Sequence, residues 1–178
     1  MTSESLLNDL KERTISNLEN AREFNKLPIK RLLKRQNPTS WNVLECVEHL
    51  NRYGRFYLAE IEKVMETNTK EKTAPNFTPG FIGGQFAKSM LPGGRKMATF
   101  PDKNPLGADL TKRSIDEFIQ QQEILMGLLE RASNVNLNKV KTAISISKLF
   151  KIKLGDTFRV VVFHNQRHME QAKKALKA

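Results

Sequence analysis

The chain has 178 residues, 39% of them hydrophobic and 28% charged, which is enough for one domain with a substantial core and too apolar for a disordered segment. Thirty Lys and Arg against 19 Asp and Glu leave a net charge of +11, spread along the chain rather than gathered in one tail. The one cysteine, Cys46, excludes a disulfide-stapled scaffold, no run approaches the ~20 apolar residues that span a bilayer, and the opening MTSESLLNDLKER lacks the apolar core of a signal peptide. A soluble, cytoplasmic protein without membrane contact is expected.

Leu6, Leu7, Leu10, Ile15, Leu18 and Phe24 recur at three- and four-residue steps, apart from one break, which predicts an amphipathic helix over 3–24. Ser3 or Ser5 is its candidate cap. Pro28 begins a loop in which Leu32 and Leu33 form a short helical turn. A second helix starts after Asn37-Pro38-Thr39-Ser40 and runs to about residue 65, with Ser40 or Thr39 as cap and Glu45 too distant to close a capping box with Ser40. Its apolar stripe is Val43, Val47, Leu50, Tyr53, Tyr57, Ile61 and Val64, and Trp41, Glu45, His49 and Arg52 lie on the adjoining face.

Residues 66–110 contain Pro75, Pro79, Pro92, Pro101 and Pro105 and two Gly-Gly pairs, which break any long helix. Phe77, Phe81, Phe86, Met90, Met97 and Phe100 fall in the same stretch. So many large apolar groups imply a packed excursion, with a short helix over 85–90, that either shapes a site or covers a bundle end. A third helix is predicted from 109 or 111 to 132 on Ile115, Phe118, Ile119, Gln122, Leu125, Met126 and Leu129, with Asp109 as cap. ISISKLFKIKL then alternates like a strand, but no partner strand is evident, so a connector with a helical turn is expected over 133–154. A fourth helix follows Gly155-Asp156 and runs to 175, with Asp156 as cap. No internal repeat or low-complexity tract occurs.

The chain's three histidines are its best functional clue. His164 and His168 stand one turn apart on the fourth helix, and His49 lies on the second. Neutral imidazoles bind zinc and related ions, and three protein ligands plus an open position is the usual catalytic arrangement. A bare HxxxH is nevertheless weak, because helical histidine pairs are more often surface or core. Asn165 also stands where the glutamate of HExxH would be.

Trp41 followed eight residues later by His49, together with Gly155, Asp156, Arg159, His164, Arg167, His168 and Gln171 in the spacing GDxxRxxxxHxxRHxxQ, resembles the DinB-like (DinB/YfiT) metalloproteins. The resemblance extends over nearly the whole chain. It implies an all-α, single-domain four-helix bundle over 1–178 with up-up-down-down connectivity. It also implies a divalent metal, zinc or nickel, on His49, His164 and His168. The family includes S-transferases that use low-molecular-weight thiols such as bacillithiol or mycothiol, and maleylpyruvate isomerases that use mycothiol or glutathione.

The implied activity is therefore a metal-dependent thiol S-transferase acting on a small-molecule electrophile. A metal-dependent hydrolase is the second reading, because an open metal site also activates water. Glu45 and Gln171 are candidates to support the ligands from behind. Arg52, Arg95 and Lys96 are candidates to hold carboxylates of a bound thiol. Cys46 is read either as a fourth ligand or nucleophile or as a small buried hydrophobe. A homodimer is expected. Nucleic acid is the less favoured partner. Lys139, Lys141, Lys148, Lys151 and Lys153 are basic enough, but no helix-turn-helix, finger or RNA-binding signature accompanies them. A metal-stabilised protein without catalysis is the remaining alternative.

Overall fold

Four apolar helical stripes must be buried against one another, and in the computed structural model, which describes residues 1–68, 72–94 and 98–178, they form a four-helix bundle. The long helices are α1 (Ser3–Lys26), α3 (Val43–Thr67), α5 (Arg113–Arg131) and α6 (Leu154–Ala175). Two short helices, α2 (Ile29–Leu32) and α4 (Phe81–Ser89), and one antiparallel hairpin, β1 (Lys141–Ile144) with β2 (Ser147–Lys153), complete the described elements apart from two 3-10 turns, Pro101–Lys103 and Ala132–Asn134. No helix among the described residues is long and apolar enough to cross a membrane.

Side-chain pairs between the helices set their directions. Arg22 reaches Glu123 and Asn25 reaches Asp116, so α1 and α5 are antiparallel. Asn51 pairs with Ser114, Arg55 with Glu117 and Glu62 with Arg131, so α3 and α5 run parallel. His49 meets His168 while Tyr53 meets His164, so α3 and α6 are antiparallel. The order is up-down-down-up, which corrects the expected up-up-down-down. The reason lies in the connections. The stretch between α1 and α3 is short and reverses the chain, whereas the 45 residues from Asn68 to Lys112 supply a crossover that returns it to the start of a parallel neighbour.

Several helix starts also differ from expectation. Thr2 caps α1, its side chain accepting from the Ser5 N–H at 3.0 Å, while the Ser3 hydroxyl donates to the Ala74 carbonyl at 2.7 Å. Asn42 caps α3, with Glu45 at the third helical position closing a capping box, each bond 2.9 Å. Ser40 instead closes the preceding turn by bonding Asn37. Asp109 lies outside α5, which starts at Arg113, and the short helix in the long crossover begins at Phe81 rather than 85.

Asp156 sits inside the first turn of α6, fully buried, and not at its cap. One oxygen accepts the Gly80 N–H at 2.7 Å and the other accepts from Arg159 at 2.9 Å, which docks α4 on α6. Gly83 permits that approach, because a Cβ there would come 2.7 Å from the carboxylate. Gly155 likewise leaves room for the Phe77 ring. The GDxxR spacing is thus a packing device that fixes the start of α6.

The hairpin corrects the expected helical connector. Lys141 to Ala143 pair with Lys153 to Lys151, so the missing second strand is the KTAI immediately before the alternating run. The hairpin is stable because it is not isolated. Ala143, Ile144 and Ile152 are buried on the bundle, and the Ala143 N–H donates to Glu60 of α3 at 2.9 Å.

Two apolar clusters hold the bundle, one containing Leu10, Ile61 and Phe158, the other Val47, Leu50, Ile115 and Ala172. Along α6 His164 and His168 fall between them, and on α3 His49 lies beside Leu50 at the end of the second cluster.

Candidate metal centre

α3 presents His49, and α6 presents His164 and His168 one turn apart, and the antiparallel packing brings the three rings together. Their centroids lie 4.6 to 5.1 Å apart pairwise, and one donor nitrogen from each lies within 4.8 Å of the others. His49 Nε2 and His164 Nε2 are 3.2 Å apart. Two nitrogens held tetrahedrally at 2.0–2.1 Å from one ion would be separated by about 3.3 Å, so this pair needs almost no adjustment to share a cation.

The outward nitrogens of His49 and His168 are occupied. His49 Nδ1–H donates to the Lys103 carbonyl at 2.8 Å, and His168 Nδ1–H donates to Gln171 Oε1 at 2.8 Å. Each bond selects the tautomer whose Nε2 lone pair is unprotonated, the arrangement that supports a metal-ligating histidine from behind. Lys103 belongs to the 3-10 turn Pro101–Lys103, so the long crossover supplies one of the two supports. Trp41 packs against His49 and His168, at 4.6 and 5.6 Å between centroids.

Burial keeps all three rings neutral. It pushes His49 down to about 4 against the raising effect of the Lys103 carbonyl, and Arg52 and Lys103 add smaller repulsions. It pushes His168 down to about 3, helped by the His49 charge and Arg167 and opposed by Gln171. His164 lies well below the ordinary histidine value for the same reason, with His168, His49 and Arg167 adding repulsion. Neutral imidazoles, two of them with the tautomer selected by a bond from behind, are in the form in which histidine binds a transition metal.

The donors open into a cavity of about 270 Å³. Tyr53, Tyr57, Phe86, Met90 and Val160 wall it, and Ile146 and Phe100 stand at its mouth, 58% and 48% exposed. Tyr53 is edge-on to both His49 and His164. Burial raises its phenol to about 12, so its proton stays on at neutral pH.

The other sequence candidates separate clearly. Gln171 reaches the site, bonded to His168. Glu45 does not. Beyond the capping box it accepts from Arg35 at 3.1 Å and from the Gly107 N–H at 2.7 Å, so both oxygens serve the start of α3. Its ion pair is with Arg35, not with Arg52 or Arg159. Arg52 is bonded to Glu48 and to the carbonyls of Asp102 and Asn104, where it holds the turn that carries Lys103 and lies outside the cavity wall. Arg95 and Lys96 lie outside the described residues. Cys46 is fully buried among apolar neighbours of α3, and burial pushes its thiol up, which makes it a packing residue rather than a ligand or nucleophile.

Sequence reasoning missed two contributors. Tyr53, four residues after His49, shares its helical face and was legible by spacing. The Lys103 carbonyl was not, because a backbone acceptor has no residue-type signal.

A family model described as the DinB superfamily matches residues 12–172. No curated protein and no solved structure matches the chain significantly.

Proposed function

The chain belongs to the DinB superfamily, and from that premise we propose that His49, His164 and His168 hold one divalent transition metal, zinc or nickel, at the end of a cavity where a thiol is transferred to a small electrophile. The observation that carries this reading is the pair of outward bonds, His49 to Lys103 and His168 to Gln171, which leaves the inner nitrogens free to ligate. A bound divalent ion favours the thiolate over the thiol of a sulfur ligand beside it.

The chain's own residues do the rest. Lys103 and Gln171 orient the imidazoles. The apolar wall excludes water and brings the two reactants together. Tyr53 keeps its proton and offers a hydrogen bond above the rings. Transfer is favoured over hydrolysis because no aspartate or glutamate lines the cavity among the described residues, so no carboxylate base stands ready to activate water.

The test is turnover of small electrophiles by metal-loaded protein with and without thiols. Thiol-dependent turnover is expected. Turnover that is unchanged when thiol is removed favours the hydrolase instead. Metal content after tag-free purification is expected near one ion per chain, and His49→Ala, His164→Ala and His168→Ala are each expected to lose it. Full metal in all three variants would overturn the site.

A further inference from the structure

The cavity wall limits what can be brought to the histidines. Resting on the metal reading above, we infer that the site takes a ligand with one donor head and an apolar body, rather than a polar thiol that carries several carboxylates.

Among the described residues that line the cavity, Arg167 is the one ionised side chain, and its guanidinium already donates to the Ser89 carbonyl at 2.8 Å and the Gly94 carbonyl at 3.2 Å. No lysine lines the described wall, and Arg52 is turned to Glu48 and two backbone carbonyls outside it. Ser145 and Tyr57 are bonded to each other. Among the described residues, a ligand carrying two or three carboxylates would therefore have to place charge against Phe86, Met90 and Val160, where no free cation or donor replaces its lost hydration.

The apolar side points the same way. The wall combines side chains from α3, α4 and α6 around a space that the three histidines also line. Its mouth holds two large apolar groups in water, Ile146 from the hairpin turn and Phe100 from the crossover. An aliphatic or aromatic body reaching outward from a head at the histidines covers both. Apolar surface removed from water on both partners is favourable by up to ~0.8 kcal/mol per buried CH₂, about fourfold in affinity. Pockets with this lining bind through apolar area and use few polar groups for orientation.

The experiment uses the full chain. Ethanethiol, butanethiol, hexanethiol and mercaptosuccinate are titrated into cobalt(II)-loaded protein, with thiolate-to-cobalt absorption in the near ultraviolet as readout. In parallel, alkanols of two to six carbons are titrated by calorimetry into the metal-free chain. We expect binding to tighten about two- to fourfold per methylene in both series, with butanethiol tighter than mercaptosuccinate. Ile146→Ser and Phe100→Ser are expected to flatten the slope. Leu149→Ser, on a side chain 97% exposed and outside the cavity, is expected to leave it unchanged. A flat chain-length series in the alkanols, or mercaptosuccinate binding more tightly than butanethiol, would overturn the inference. Cobalt that fails to bind the histidines sinks the metal reading instead, and the alkanol slope still decides this one.

Discussion

His49 Nδ1 lies 2.8 Å from the carbonyl oxygen of Lys103, 54 residues further along the chain. The ring on α3 is thereby oriented by the crossover rather than by its own helix. On α6 the corresponding bond is local, from His168 to Gln171 at 2.8 Å, within one turn.

That contrast gives a prediction. Gln171→Ala removes the acceptor behind His168 and is expected to weaken metal binding about 10- to 100-fold. Lys103→Ala keeps the carbonyl and is expected to leave affinity nearly unchanged. Competition against a chromogenic chelator measures both. Equal losses in the two variants would count against the orienting role.

Glu45 separates stability from metal binding. Its carboxylate completes the capping box and also accepts from Arg35 and Gly107. Glu45→Ala is expected to destabilise the fold, as is Asn42→Ala, the latter by about 1 kcal/mol for loss of the cap. Metal affinity is expected to hold in both. Chemical denaturation paired with metal titration checks this. A selective loss of affinity in Glu45→Ala would return that residue to the site.

The histidines make the metal-free protein acid-sensitive. An unfolded histidine titrates near 6.5, whereas His49 and His168 titrate at about 4 and about 3 in the fold. Above pH 6.5 the rings are neutral in both states and contribute no pH dependence. Between 6.5 and the folded values the unfolded chain takes up protons that the folded chain does not, so stability falls as pH falls. For His49 and His168 the loss levels off below about pH 3. Melting temperature from pH 8 to 3 is expected to drop more steeply for the parent than for His168→Ala. Parallel curves would refute the buried neutral state.

Cys46 is expected to resist thiol reagents in the native protein and to react fully once denatured, because it is buried and its thiol is pushed up. A disulfide-exchange dye followed with time distinguishes the two states. Fast native labelling would reopen its role as nucleophile.

Much of this molecule is written in short-range patterns. Helical periodicity placed the four long helices to within a few residues of where they are, because an apolar stripe is a property of the chain itself. The same spacing put His164 above His168. The family resemblance added His49, and the match over 12–172 bears out the family. Caps were legible only in part. Asn42 stands three residues before Glu45, the capping-box spacing, but Ser40 and Thr39 offered equally good cap chemistry nearby. The hairpin was half visible. β2 alternates, but β1 has only four residues, and burial against α3 rather than its own pattern keeps it in place.

The sequence alone determined where the helices lie and that His164 and His168 share a face, because both depend on residue type at local spacing, and the family resemblance read from the same sequence added His49. Tertiary structure decided that α3 runs parallel to α5, that Lys103 supports His49, and that Arg52 and Glu45 turn away from the cavity. Those outcomes depend on the path of a long crossover and on backbone carbonyls, and neither has a signature in residue type.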